Sequence, residues 1–341
     1  YYFIPNNMDL SIIIVNYRTP QLVIDCISSI CQHNRYTQLE VFVIDNASGD
    51  NSEGLIRATH PSVHWIQMNY NSGFARANNT GIKQAKADIV LLLNSDTLDY
   101  HNAIENCYLK FSKSEYVGCG VQLLNKDGSP QISGNFVMRG GLNYLLSLPY
   151  LGSFIRWLGY TFQVKKPNIP NTQEEVEVDW INGAFLMIKK QAIEKAGLMD
   201  EDFFLYAEEA EWCSRLKKIG KLCIYGQFNV FHLQGETANQ TFGSSGKGYY
   251  NLYDRKGLQI MLSNFVRIRK QFGIWWFLIQ LLIYSISVPV FFILSFFDHL
   301  FHLRNPFTEY SRGLSLLKNI SILWTFTPRI ITNKPYFYKV L

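Results

Sequence analysis

Leu10-Ser11-Ile12-Ile13-Ile14-Val15-Asn16-Tyr17-Arg18-Thr19-Pro20 decides the architecture. Its isoleucine-rich run lacks regular polar alternation, as expected for a parallel strand buried on both faces. The run ends in a polar turn, and Pro20 is placed to start a helix through about His33. The same unit then recurs. Val41 to Ile44 runs into Asp45-Asn46-Ala47-Ser48-Gly49-Asp50. Val63 to Gln67 ends near Asn69 to Gly73, before a helix through Ala85, and Ile89 to Leu93 ends in Asn94-Ser95-Asp96-Thr97. Strand, polar loop and helix at this pace predict an α/β sheet with crossovers. Such sheets bind ligands beyond the carboxyl ends of their strands. Here those ends carry Asn16, Arg18, Asp45, Asn71 and Asp96.

A chain of 341 residues can bury one large domain and something smaller. Nearly half of it is apolar, which argues against disorder, and a net charge of +5 does not by itself point to nucleic acid. Cys26, Cys31, Cys107, Cys119, Cys213 and Cys223 form no Cys-x-x-Cys pair and read as reduced, buried cytosolic thiols. Tyr1 to Asn7 has neither a basic region nor a long apolar run, so it does not read as a signal peptide; Met8 offers a native start.

Neither a Gly-x-Gly-x-x-Gly after the first strand nor a Gly-x-x-x-x-Gly-Lys-Ser/Thr occurs, which disfavours a dehydrogenase or a P-loop NTPase. A phosphate ligand can instead be held through a divalent metal. Mg²⁺ takes one or two carboxylates and fills its shell with phosphates and water. Asp96, on the loop after a buried strand, suits that role, although a lone Asp there is more often a turn or cap residue.

The stretch Asp200 to Arg215 reads as a helix. At helical spacing Leu205, Glu209, Trp212, Leu216 and Ile219 share a stripe, while Glu208, Glu211, Arg215 and Lys218 take the solvated side. Glu211 and Arg215 are spaced to pair in water. A carboxylate on the core-directed stripe is desolvated, which raises its pKa and suits it to accept a proton.

Several of these segments resemble a known family. Asp45-Asn46-Ala47-Ser48, Asn71-Ser72-Gly73-Phe74-Ala75-Arg76-Ala77-Asn78-Asn79 and Leu92-Leu93-Asn94-Ser95-Asp96-Thr97 are followed by Gly183-Ala184-Phe185-Leu186-Met187-Ile188 and Asp200 to Glu209. In this order they resemble the family 2 inverting glycosyltransferases of GT-A fold, particularly the rhamnosyltransferase-like branch, over about Leu10 to Gly235. The resemblance implies that Asp45 binds the base of a dTDP- or UDP-sugar donor. It implies that Asn16, Arg18 and Asn71 line the same pocket and that Arg76 touches the donor. Asp96 is similar to the last Asp of the family's Asp-x-Asp metal motif, whose first Asp is here Asn94. His232 matches a position that can supply a further ligand to Mg²⁺ or Mn²⁺, imidazole being more at home with Mn²⁺. Without the resemblance His232 reads as a core histidine. Glu209 matches the general base, usually the Asp of a Glu-Asp pair, so the carboxylate is displaced by roughly one methylene. Glu208 is the adjacent alternative. Trp180, Asn182 and Gly183 fall on the sugar and acceptor side, where Trp180 is equally a core residue.

The implied chemistry is one inverting displacement: Glu209 takes the acceptor's proton, the metal steadies the leaving diphosphate, and no nucleophilic carboxylate is needed. Two rivals stand beside it. A sugar-nucleotide pyrophosphorylase should carry a Gly-rich basic loop, which Asn16 to Pro20 lacks. A non-catalytic glycan-binding or scaffold relative is left open by Asn94 and Glu209.

The expected organisation is a catalytic domain over 8–240, with a nucleotide half to about 100 and an acceptor half beyond it. A basic helical connector over 241–270, a membrane segment over 271–297 and a basic amphipathic tail over 298–341 would follow. Between Asn135 and Val178 the pattern weakens; Pro149, Pro167, Pro170 and Lys165-Lys166 read as a loop-rich insertion. Phe154, Trp157 and Leu158 read as an interfacial helix or a lid. Gln271 to Phe297 contains no charged residue over twenty-seven positions, more than a span requires. Trp275 and Trp276 resemble an interfacial belt, and Arg267, Arg269 and Lys270 form a basic flank. Basic residues from Arg304 to Lys339 place the second flank in the cytoplasm as well, so a span and a bent or in-plane segment, with Pro289 as the bend, stay open. The expected setting is the cytoplasmic face of the inner or plasma membrane, with a lipid-linked or cell-envelope glycan as acceptor.

Overall fold

The computed structural model describes residues 8–35, 37–136, 142–164, 168–169, 171–233, 242–244 and 251–340. Tyr1 to Asn7, the Lys165-Lys166 pair, Pro167 and Pro170 lie outside them.

In chain order the first half holds β1 (Leu10–Asn16), α1 (Pro20–His33), β2 (Leu39–Asp45), α2 (Ser52–Thr59), β3 (His64–Gln67), α3 (Gly73–Gln84), β4 (Ile89–Asn94), β5 (Thr97–Asp99), α4 (Ala103–Phe111) and β6 (Gly118–Leu124). There follow β7 (Gly134–Asn135), α5 (Leu151–Thr161), β8 (Asn168–Ile169), β9 (Glu175–Val178), β10 (Trp180–Ile181), β11 (Phe185–Lys189), α6 (Lys190–Ala196), α7 (Glu208–Leu216) and β12 (Leu222–His232). Two long helices, α8 (Arg255–Phe301) and α9 (Tyr310–Thr332), complete the chain.

The chain divides into two compact units, the first comprising residues 1–137, 167–204 and 208–237. Its main sheet runs β3-β2-β1-β4-β11-β6-β12-β5, with β9 also on β12, and β10-β7-β8 form a small second sheet. The four strands legible as apolar runs are β1 to β4. They pair in parallel in the order 3-2-1-4. Ile12, Ile13, Ile14, Val43, Ile44 and Leu91 are all buried, as strands covered on both faces must be.

The rest of the sheet is mixed. β11 runs antiparallel to β4, pairing Phe185 with Leu93, so its start lies at the carboxyl end of β4. β12 runs parallel to β6 and places its last residue, His232, opposite Thr97 of β5. One edge of the sheet thus gathers the ends of β1, β2 and β4, the start of β11 and the end of β12. Five of the cysteines are buried free thiols, but Cys31 is exposed on the outer side of α1, against expectation.

The second unit comprises residues 138–166, 205–207 and 238–341. α5 occupies part of the expected loop-rich stretch, with Phe154, Trp157 and Tyr160 exposed. Asp254 caps α8 by accepting from Gly257 N at 2.8 Å. α8 is two helices joined at Gly273, whose φ of 86° is open to glycine and strained for other residues. At Pro289, read as a bend, the backbone keeps helical angles. Gly273 sits where the basic flank gives way to the apolar run. Phe277, Leu281, Tyr284, Val288 and Phe291 form a buried stripe on that half, and Trp275, Leu282, Ile286 and Ile293 remain exposed. Among the described residues, α8 alone is long and apolar enough to cross a membrane.

Candidate active site

The residues expected to line a nucleotide pocket stand at the ends of β1, β2 and β3. Asp45 is 2% exposed, and its oxygens accept from Asn16 Nδ2 (2.7 Å), Ser48 Oγ (2.5 Å), Ser48 N (2.9 Å) and Gln67 Nε2 (2.8 Å). A carboxylate offers about four acceptor sites, so protein donors take them all. Of these donors only Gln67 is exposed. Arg18 is exposed beside it with left-handed backbone (φ 60°), tied to Ser48 by its N–H (2.8 Å) and its Nε (3.1 Å). Asn71 accepts from Asn46 Nδ2 and Gly73 N, and Asn46 accepts from both the N–H and the hydroxyl of Ser72. The three loops are therefore one hydrogen-bonded rim.

The rim is joined directly to the loop ahead of α7. Gly73 has φ +75°, and a Cβ there would lie 2.2 Å from the carbonyl oxygen of Phe204. Phe74 N donates to that same oxygen at 2.8 Å. Asn79 clamps Met199 from both sides, Nδ2 to Met199 O at 2.9 Å and Met199 N to Oδ1 at 3.0 Å. Arg76, expected at the donor, sends Nε to Glu201 O (3.0 Å) and Nη1 to Tyr70 Oη (3.0 Å). So α3 carries this rim at its start and grips the Met199–Phe204 loop along its length.

That loop delivers the acidic pair. The faces of α7 differ from the sequence-based expectation: Glu208 and Glu211 are buried, 3% and 7% exposed, and Glu209 is half-buried. Tyr206 and Ala207 are left-handed (φ 72° and 67°), so the helix begins only at Glu208 and Leu205 lies outside the stripe. Ala210 is buried along with Glu208 and Glu211, so the first turn is covered beyond the Trp212–Leu216 face that spacing picks out. Trp212 and Leu216 are fully buried as expected, with Trp212 Nε1 donating to Gly197 O at 2.8 Å, but Ile219 is exposed beyond the helix end. Glu211 does pair with Arg215, through both carboxylate oxygens, yet in a buried setting where Arg215 also donates to Ala196 O and Leu198 O. Glu209 packs over Gly183, where a Cβ would stand 3.4 Å from its Cγ.

Gly183 sits at the start of β11. Asn94 N donates to Ala184 O at 3.0 Å, which brings the Gly183–Ala184 turn to the end of β4. Asn182 is held in that turn, accepting from Ala184 N and donating Nδ2 to Ile132 O. Trp180 is core, 9% exposed, on the small second sheet.

The β4–β5 turn carries Asn94 and Asp96. Asp96 and His232 are both buried, with His232 Nε2 3.4 Å from Asp96 Oδ1 and 3.4 Å from Asn94 Nδ2. Leu233 N donates to Asp96 O at 2.9 Å, locking the end of β12 to the turn. Cys26 lies beneath, 3.6 Å from Thr97 Oγ1; burial pushes its thiol up to about 12, so it is neither a metal ligand nor a nucleophile at neutral pH. Among the described residues no three His, Cys, Asp or Glu side chains converge as a metal cage. Asp96 and His232 bring two such donor side chains together.

Sequence reasoning missed three residues. Asn78-Asn79 was visible within a motif, yet no pattern told which side chain faces Met199. Gln67 closes the Asp45 cluster from the end of β3. Gln131 accepts from the His232 ring across 101 residues, a relation that spacing does not reveal.

Part of the chain is similar to known proteins. Residues 11–156 match the model of Glycosyl transferase family 2. The chain is 28% identical over 219 residues to the low-salt glycan biosynthesis hexosyltransferase Agl10 of Haloferax volcanii, covering 62% of each chain. It is 24% identical over 183 residues to the rhamnosyltransferase WbbL of Escherichia coli, covering 50% of this chain and 65% of that one. It is also 24% identical over 202 residues to the N-acetylglucosaminyl-diphospho-decaprenol L-rhamnosyltransferase of Mycobacterium tuberculosis, covering 55% and 64%. The match thus spans slightly less than two thirds of these relatives' own length. Over residues 11–156, in the half of the chain that carries β1 to β6, the chain is thus similar to the family 2 glycosyltransferases.

Proposed function

We propose that the protein is an inverting glycosyltransferase that moves a sugar, rhamnose or a similar one, from a dTDP- or UDP-sugar to a hydroxyl of a lipid-linked or cell-envelope glycan. The observation that carries this reading is the contact of the nucleotide rim with the base loop. Gly73 meets Phe204, and five residues later Glu209 stands against Gly183 at the end of β4. A donor held on the rim presents its sugar toward that carboxylate.

In this reading Arg18 and Asn71 line the nucleotide pocket and Asp45 shapes it through Asn16 and Ser48. A base N–H reaches Asp45 by displacing Gln67, the exposed one of its donors. Asp96 Oδ1 and His232 Nε2 fit a divalent ion: cis ligands about 2.1 Å from a metal lie about 3 Å apart, close to the 3.4 Å separation here. Mg²⁺ or Mn²⁺ at these residues would neutralise the diphosphate as it leaves. Glu209 accepts the proton of the acceptor hydroxyl while its oxygen attacks the anomeric carbon. The bond from that carbon to the diphosphate breaks with its electron pair on the leaving group, and the configuration inverts. Glu208, buried and beside it, is the alternative base.

A lipid surface is the proposed setting. Exposed Phe154, Trp157 and Tyr160 on α5 and exposed Trp275, Leu282 and Ile286 on α8 form an apolar surface of the kind that contacts membranes. Arg269, Lys270, Arg304, Arg312 and Arg329 suit anionic headgroups on the cytoplasmic face. The diphospho-decaprenol in the name of the mycobacterial relative supports a lipid-linked acceptor.

The test is a calorimetric titration of detergent-solubilised protein with dTDP, UDP, GDP and CMP, each with and without Mg²⁺ or Mn²⁺. Metal-dependent binding of dTDP or UDP is expected. Tight GDP binding overturns the pyrimidine assignment, and no binding by folded protein overturns the donor site.

A further inference from the structure

Gln131 lies in the loop before β7 and is buried. Its Oε1 stands 2.9 Å from His232 Nδ1. Its Nε2 donates to His232 O at 2.6 Å and to Asn125 Oδ1 at 2.8 Å, with Leu124 O at 3.4 Å. These acceptors fix the amide: turned over, its oxygen would face three oxygens. Oε1 therefore points at the ring, and an acceptor there requires the proton of the neutral imidazole on Nδ1. The other nitrogen, Nε2, is left with its lone pair, and it faces Asp96 Oδ1 and Asn94 Nδ2 at 3.4 Å.

We propose that Gln131 is a positioning residue that locks His232 in the Nδ1–H tautomer and aims Nε2, beside Asp96, as a ligand for a divalent cation. This inference rests on the metal reading of the Asp96–His232 pair. In that tautomer Nε2 offers its lone pair beside Asp96 Oδ1, with Asn94 Nδ2 as its other neighbour at 3.4 Å, and a cation placed there would be shared by imidazole and carboxylate. The opposite tautomer would place an N–H on Asp96 and close the site as an ordinary buried hydrogen bond. Gln131 also bonds the His232 carbonyl, so ring and backbone are held by one side chain.

The experiment uses full-length protein in detergent, ¹⁵N-labelled at histidine, with Gln131→Leu and Gln131→Glu. The imidazole ¹⁵N shifts of His232, identified by their loss in His232→Ala, report the tautomer before any metal is added. Mn²⁺ binding in the presence of UDP is read by electron paramagnetic resonance. The wild type is expected to show Nδ1–H. Gln131→Leu should release the tautomer and weaken Mn²⁺ binding about 10- to 100-fold. Gln131→Glu keeps an acceptor at Nδ1 while its second oxygen loses the bonds to His232 O and Asn125 Oδ1; Nδ1–H kept there at a lowered thermal midpoint separates the tautomer lock from packing. A wild-type Nε2–H tautomer overturns the proposal whatever the variants do, and so does wild-type Mn²⁺ affinity in Gln131→Leu. Wild-type protein that binds UDP but no Mn²⁺ or Mg²⁺ overturns the metal reading itself, and this proposal with it.

Discussion

Gly73→Ala tests most sharply the junction between the rim proposed to hold the nucleotide and the loop ahead of the proposed base. The added Cβ would stand 2.2 Å from Phe204 O, and real Cβ contacts do not fall below 3.0 Å, so the junction must open by about 0.8 Å. Left-handed backbone at a non-glycine residue costs about 1–2 kcal/mol, and loss of the Phe74 N to Phe204 O bond about 1 kcal/mol more. Gly128 is the control: it has φ +79° but nothing within 4 Å of its Cβ. Gly128→Ala therefore carries the backbone cost without the collision. Displacement of the base loop by nearly 1 Å should lower kcat by about 10- to 100-fold in Gly73→Ala, with kcat near wild type in Gly128→Ala. Urea unfolding and initial-rate transfer assays on both variants supply the comparison. If Gly73→Ala retains the kcat of Gly128→Ala, the rim does not position the base.

Asn79→Ala leaves the buried Met199 N–H and C=O without their side-chain partner, a loss of about 2–4 kcal/mol in urea unfolding; a change below about 1 kcal/mol would show that the clamp is dispensable. Phe154 and Trp157 are 54% and 57% exposed, so changing both to Ser should leave the thermal midpoint in place and weaken co-sedimentation with anionic vesicles by about tenfold or more. Unchanged vesicle binding removes α5 from the membrane surface. Asp99 is buried with Oδ1 accepting from Ile104 N at 3.1 Å, and desolvation raises its pKa above 3.8. A raised folded pKa contributes stability at low pH that is lost as pH rises through it. Asp99→Asn does not titrate, so its stability relative to wild type should increase from pH 3.5 upward; a constant difference would contradict the burial argument.

The sequence carried the parallel half of the sheet because its signal is local. β1 to β4 are short apolar runs ending in polar loops, while their order, 3-2-1-4, comes from pairing in the fold. β11 and β12 read as apolar runs too, but their antiparallel and parallel placements depend on pairing with β4 and β6, which no single stretch encodes. That pairing is what brings His232 to Asp96 and Gly183 to Asn94. The error on α7 has a different origin. Two left-handed residues at Tyr206 and Ala207 keep Leu205 out of the helix, and neither is the glycine or asparagine that would have signalled such a backbone. Glu208, Ala210 and Glu211 are buried as well as Trp212 and Leu216, so the first turn is covered on more sides than a single apolar stripe implies. Gln131 was invisible because a lone glutamine in a loop has no period, spacing or motif.

The most direct test of the account is transfer by Glu209→Gln alongside calorimetric donor binding, with Glu208→Gln measured in parallel. The substitution keeps the side chain's size over Gly183 and removes its ability to accept a proton. The account predicts that Glu209→Gln binds the pyrimidine diphosphate within about twofold of wild type and transfers sugar at least about 100-fold more slowly. Turnover retained in Glu209→Gln, or lost only in Glu208→Gln, would contradict it.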